Sequence, residues 1–215
     1  MNKIKEYSDR GLFADDMLDK YYRKAPNSII SDIGAGFGHM QNKVTSLSAT
    51  WQPFDYIKKI EESIIWDLNH PCPDNCFNAG TILFLEVLEH LANPLLCLQN
   101  ISNHLENGGF LILTTPNPSS SKNALNLLLK GRLYAFQEKH LKEHHVFTPW
   151  EHIVTFFLEE CGFEIIEYCI VDTKHENRKT KSLKDFIKKK IENFIESRNP
   201  KSRGMSYGIV ARKIR

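Results

Sequence analysis

Three glycines at alternate positions, Gly34, Gly36 and Gly38, follow an acid, Asp32, and an apolar run in the stretch "SDIGAGFGHM". Glycine takes left-handed backbone without steric cost and lets a ligand lie against the main chain. The N–H groups that open the following helix are then available to an acceptor atom. A tight turn that binds nothing would use the same residues. The dinucleotide fingerprint G-x-G-x-x-G/A fits Gly34 and Gly36, but its third position falls on His39. An acid two positions before Gly34 suits a ligand with a cationic amine better than a pyrophosphate.

Other residues invite chemistry at shorter range. Glu86, Glu89 and His90 form E-x-x-E-H. Hard oxygens with one imidazole can hold Mg²⁺ or Mn²⁺, and the same residues can simply cap a strand-to-helix turn, so no metal is assigned. His70, Cys72 and Cys76 in "HPCPDNC" lack a fourth ligand for zinc. Histidine titrates in the range useful to a general base. Nine are present, and most histidines in proteins are surface or hydrogen-bonding residues.

The elements that must position these residues alternate. "SIISDI", "TWQPFDYI", "SIIWDL", "AGTILFLEV", "GFLILTTP", "FEIIEYCIV" and "MSYGIVARKI" read as seven strands, with Pro53 weakening the second. Helical spacing covers residues 13–24, "HMQNKVTSLS" and "NPLLCLQNISNHL", the last stopping at Gly108-Gly109. "TPWEHIVTFFLEECGF" reads as a helix capped by Thr148, with Pro149 at its first position and Gly162 at its end. Strands alternating with helices imply an α/β fold: a Rossmann-like, mostly parallel seven-stranded sheet flanked by helices, its last strand antiparallel. The last two strands are expected to pair at the sheet edge. In such folds ligands bind at the carboxyl ends of the strands, where the strand order reverses.

The pattern D-x-G-x-G-x-G resembles the first motif of class I S-adenosylmethionine (SAM)-dependent methyltransferases. The resemblance continues in order along residues 28–213. Asp55, 23 residues after Asp32, sits where such enzymes hold the ribose hydroxyls, and Asp67-Leu68 where they meet the adenine amino group. "FLEVLEHLANP" and "LENGGFLILTTPN" look like the family's fourth and fifth strands, and "HHVFTPWEHIVTFFLEECGF" and "GIVARK" like its C-terminal part. The resemblance implies SAM bound by Asp32, Gly34, Gly36, Gly38, Asp55, Asp67, Leu68 and Glu86, with S-adenosylhomocysteine (SAH) as product. It places the acceptor pocket near His140, His144 and His145, after the fifth strand. His145, then His90, is the expected base or acceptor ligand. Quinone-type and cell-surface-sugar O-methyltransferases resemble the chain, so the expected acceptor is a hydroxyl on a small molecule, glycan or lipid-linked group. Some quinone-ring enzymes place a divalent metal near a set like Glu86, Glu89 and His90.

The 215 residues suit one domain, 1–215, with a basic helical insert at about 174–203. Residues 172–215 carry 14 Lys/Arg against 5 Asp/Glu, a net of +9, while residues 1–171 carry 14 against 21, a net of −7. In residues 182–197, Leu183, Phe186, Ile187, Ile191, Phe194 and Ile195 share one helical face. That face is expected to cover the domain, a second copy in a homodimer, or an anionic membrane; no aromatic-basic recognition motif points to nucleic acid. Five scattered cysteines, no signal sequence and no long apolar run suggest reduced thiols and a cytoplasmic chain, or one peripheral to the inner face of a membrane. A binding module without catalysis, docking a partner through the basic helix, and a nicotinamide-dependent oxidoreductase are the competing readings.

Overall fold

A computed structural model describes residues 4–174 and 182–215. Its strands are β1 (Lys5–Glu6), β2 (Ile29–Ile33), β3 (Thr50–Asp55), β4 (Ile64–Ile65), β5 (Ala79–Leu85), β6 (Leu105–Pro116), β7 (Phe163–Val171) and β8 (Ser206–Lys213). They form one eight-stranded sheet in the order β1-β7-β8-β6-β5-β2-β3-β4. Every neighbouring pair is parallel except those of β8, which runs antiparallel to both β6 and β7. The order reverses between β2 and β5, which opens the ligand crevice of such sheets at their carboxyl ends.

The helices are α1 (Arg10–Tyr21), α2 (Gln41–Ser46), α3 (Pro94–His104), α4 (Ser121–Lys130), α5 (Glu138–Lys142), α6 (Glu151–Glu160) and α7 (Leu183–Arg198). Apolar side chains alternate across the central strands and are buried on both faces. Ile82 and Phe84 of β5 pack with Leu98 of α3 and Leu158 of α6. Leu83, between them, packs on the other face with Phe13 and Met17 of α1. A strand covered on both faces therefore reads as a continuous apolar run.

Several sequence expectations change. The sheet has eight strands rather than seven. β1 is two polar residues, too short for any periodicity, and is held because it pairs in parallel with Cys169 and Ile170 of β7. The last two strands pair as expected, but not at an open edge: β8 lies inside the sheet, and β1 covers β7. Gly108-Gly109 lies within β6, because α3 ends at His104. Trp150, not Thr148, caps α6, and Gly162 follows that helix with φ +83°. Pro53 is accommodated in β3 without losing a ladder bond. Phe54 turns its carbonyl to Gly34, so the backbone of Pro53 faces away from β2, and β4 begins pairing only at Phe54.

Candidate functional site

The glycine loop follows β2 and is tied over the end of β3. The N–H groups of Gly34 and Ala35 both donate to the Phe54 carbonyl, at 2.8 and 3.0 Å. All three glycines have left-handed φ, +79°, +58° and +74°. Their spatial roles differ. A Cβ on Gly34 would lie 2.4 Å from Val87 Cγ2, so this glycine allows the loop to pack on the end of β5. A Cβ on Gly36 would meet nothing nearer than 3.9 Å, so Gly36 faces open space. Gly38 packs toward Trp51 and Ile60.

Asp32, in β2, is buried and accepts from Trp51 Nε1 at 3.2 Å. Burial pushes its carboxyl up to about 6, opposed by the Trp51 hydrogen bond and reinforced by the charge of Asp55. A cationic group beside Asp32 would favour its ionised form. Asp55 ends β3, is buried, and accepts from Gly36 N at 3.0 Å, Ile57 N at 3.3 Å and Lys59 Nζ at 3.3 Å. Thus a carboxylate with acceptor capacity lies against the glycine that faces open space. A buried acid, a second acid and an open left-handed glycine fit a ligand carrying an amine and vicinal hydroxyls.

Asp67 and Leu68 follow β4. The backbone and side-chain N–H groups of Asn69 donate to Asp67 and hold its carboxyl below the usual range. Leu68 is buried, and its carbonyl accepts from Asn100 Nδ2 at 2.8 Å.

Beyond β5 the chain turns sharply. Glu86 has φ +56°, a conformation that costs a non-glycine residue energy and recurs at functional sites. Its N–H donates to the Thr114 carbonyl, and its Oε1 is buried without a hydrogen-bond partner. Burial, then the charge of Asp172, lifts its carboxyl to about 7. Glu89 is buried and accepts from Thr115 Oγ1 at 3.0 Å; burial, then Glu86, lifts it to about 8.

His90 and His145 come together from distant parts of the chain. The N–H groups of Val146 and Phe147 both donate to the Glu89 carbonyl, at 2.9 and 3.0 Å, which docks the segment after α5 onto the turn that carries His90. The two imidazoles meet edge to face, with ring centroids 4.7 Å apart. His140 lies 5.4 Å from His145, centroid to centroid, and the Nδ1 atoms of His140 and His145 are buried without partners. Desolvation is the largest cause lowering all three imidazoles below the usual histidine value. Glu89, His90 and His145 each bring one ligand atom within 4.8 Å of the others, a set able to hold a divalent cation. The sequence set Glu86-Glu89-His90 is thus redrawn: His145 takes the place of Glu86. Val87, which a Cβ on Gly34 would strike, immediately precedes the turn Leu88–His90, so the segment after β5 packs under the glycine loop and then carries His90.

Trp51 meets Asp32, Val87 meets Gly34, Thr115 meets Glu89 and His140 meets His145. No motif marks Trp51, while Val87 and Thr115 fall inside the strand-four and strand-five stretches without a signal that singles them out. The sequence names His140, with His144 and His145, in the segment where the resemblance places the acceptor pocket.

Residues 17–168 match the family described as Methyltransferase domain. A tRNA U34 carboxymethyltransferase from Pectobacterium atrosepticum is 32% identical over 183 residues, covering 75% of this chain and 54% of its own. The chain therefore spans about half the length of this curated relative. A SAM-dependent methyltransferase from Archaeoglobus fulgidus superposes with a TM-score of 0.58 at 18% identity, over 94% of each chain. Magnesium protoporphyrin IX methyltransferase from Synechocystis PCC 6803, with bound SAH, gives 0.60 at 14% identity, over 94% of this chain and 80% of its own. With the switch point, the acid-tipped strands and the left-handed glycines in place, these matches make the chain a member of the class I SAM-dependent methyltransferase family.

Proposed function

We propose that the chain methylates a hydroxyl of a small-molecule, glycan or lipid-linked acceptor. The observation that carries this reading is the pairing of His90 and His145 on the Glu89 turn, beside the glycine loop. Asp32, Gly34, Gly36, Gly38 and Asp55 would hold SAM, with Asp67 and Leu68 toward its base and Glu86 just past the end of β5. SAM supplies a methyl group already activated on a sulfonium. The chain's task is then to orient the acceptor and take its proton. A neutral hydroxyl is a poor nucleophile until its proton is removed. His145 is the residue for that step: its depressed pKa keeps the imidazole neutral at pH 7. His90, edge-on to it, fixes its orientation or shares the proton.

A second reading rests on the same cluster. Glu89, His90 and His145 would hold Mg²⁺ or Mn²⁺, and the cation would bind and acidify the acceptor hydroxyl. The two readings separate on chelation. Activity that survives dialysis against EDTA supports the imidazole base. Activity lost to EDTA and restored by Mg²⁺ or Mn²⁺ supports the cation.

The test begins with calorimetric titration by SAM and SAH, with NADH as control, followed by an acceptor screen. Sugar nucleotides, glycolipids and quinone precursors come first. tRNA belongs in the panel because the P. atrosepticum relative is named for it, although no nucleic-acid motif marks this chain. His145→Ala is expected to lower kcat by about 10²- to 10⁴-fold and leave the Kd for SAH unchanged. Methylation confined to a nucleobase, an amine or a carbon would overturn the hydroxyl reading. SAM binding without turnover on any acceptor would favour a binding module.

A further inference from the structure

α7 sits on the molecule in an unusual orientation. A surface helix ordinarily turns its apolar stripe inward. Here the stripe faces out: Leu183 is 76% exposed, Phe194 61%, Ile187 51%, Phe186 47% and Ile191 41%. No residue of α7 is buried. The acids lie opposite this stripe, since helical spacing puts Asp185, Glu192 and Glu196 on one face. Glu196 accepts from Ser121 Oγ at 2.6 Å, at the start of α4, and lies 3.8 Å from Arg203 Nε. The acidic face of α7, with half-buried Ile195, therefore holds it to the domain, and the expectation that the apolar face covers the domain fails for Leu183, Phe186, Ile187, Ile191 and Phe194.

Cations surround the exposed stripe. Lys190 and Arg198 fall within it by helical spacing, and their charges lie over the rings of Phe186 and Phe194, 5.1 and 5.6 Å from the centroids. Exposed Lys184 lies beside it, while Lys188 and Lys189 are half-buried and flank the acidic face. α4, packed against α7, adds exposed Leu127, Leu128 and Leu129, the second 80% exposed, followed by Lys130 and Arg132.

We infer that α7, with the leucine end of α4, docks the protein on an anionic lipid bilayer. Apolar side chains directed outward, with Lys184, Lys190 and Arg198 exposed among and beside them, match the boundary between acyl chains and acidic headgroups. A two-fold contact between copies would instead set the lysines of α7 against one another. No helix among the described residues is long and apolar enough to cross a membrane, so the contact is interfacial. The inference stands apart from the acceptor's identity.

The test is co-sedimentation of the full chain with vesicles of equimolar phosphatidylglycerol and phosphatidylcholine, and with phosphatidylcholine alone. The wild type is expected to bind the anionic vesicles at least about tenfold more tightly than the neutral ones. Phe186→Ser/Phe194→Ser and Lys184→Glu/Lys190→Glu are each expected to reduce that binding by about tenfold or more. All four side chains are exposed on α7, and an unchanged circular dichroism melt shows that the variants remain folded. Equal binding to both vesicle types, or none to either, would overturn the inference. So would a dimer seen by light scattering that dissociates in Phe186→Ser/Phe194→Ser, which would assign the face to a second copy.

Discussion

Gly34 and Gly36 have similar backbone conformations and different neighbours, so alanine should separate their roles. Each substitution places a Cβ in the left-handed region, at about 1–2 kcal/mol. Gly34→Ala also drives its methyl into Val87 Cγ2. Its expected total cost is about 2–4 kcal/mol, or several degrees in Tm. Gly36→Ala meets open space, so its melting point should fall less while its affinity for SAM falls more. Calorimetry and a thermal melt on the two variants check this; equal effects of both kinds would show that Gly36 does not face the ligand. Asp32→Ala is expected to weaken SAM binding by roughly ten- to a hundredfold, the range for losing a hydrogen bond to a charged group. Asp32, the glycines and Asp55 were legible because their spacing is local and chemically distinctive. The Glu89–His90–His145 cluster was only half legible. His145 reaches it through two backbone hydrogen bonds to the Glu89 carbonyl, and a contact across 56 positions leaves no periodic trace in a single sequence. The buried, partnerless oxygen of Glu86 was not legible at all, since a carboxylate's surroundings are a tertiary property.

At the scale of elements, the amino end of the sheet holds a polar cluster of its own. His104 ends α3, is buried, and has its Nε2 2.9 Å from Ser31 Oγ of β2. Gln52 Nε2 of β3 donates to Ser31 Oγ and to the Phe77 carbonyl, both at 3.0 Å. Phe54 and Trp66 each meet the imidazole in a T-shaped arrangement. Burial pushes His104 down to about 4, from 6.5 in the unfolded chain. Below pH 6.5 the unfolded chain therefore binds a proton that the folded chain refuses until about pH 4. Stability falls as pH drops through this window, by at most about 3 kcal/mol from this group. Buried Asp32, Glu86 and Glu89 shift upward and act in the opposite sense. The measurement is consequently the difference in denaturation midpoint between wild type and His104→Gln from pH 7 to pH 4. That difference should shrink or reverse on acidification; a constant difference would show that the imidazole titrates normally. β5 and the "FLIL" run of β6 were legible because burial on both faces writes an apolar run, and β2 because its apolar residues lead directly into the glycine loop. β1 was not, because two polar residues gain their conformation only from β7. The helix start at Trp150 was missed because Thr148 and Pro149 supply a local signal that the backbone does not use.

For the whole molecule, charge and topology set the remaining expectations. The net of −7 in residues 1–171 against +9 in residues 172–215 makes the chain an electric dipole in sequence. Vesicle binding through α7 should accordingly weaken as salt rises, since screening at about 0.15 M already acts over about 8 Å. Salt-independent sedimentation would point to the apolar residues alone. The position of β8 bears on how the protein is made. Residues 206–213 leave the ribosome after β6 and β7, yet they lie between them and supply the antiparallel ladder to both. Until that segment emerges, the nascent chain has two bare strand edges and no route to join them. Synthesis and completion of the sheet therefore cannot overlap fully, and a polypeptide stopped before residue 206 would expose both edges to other chains.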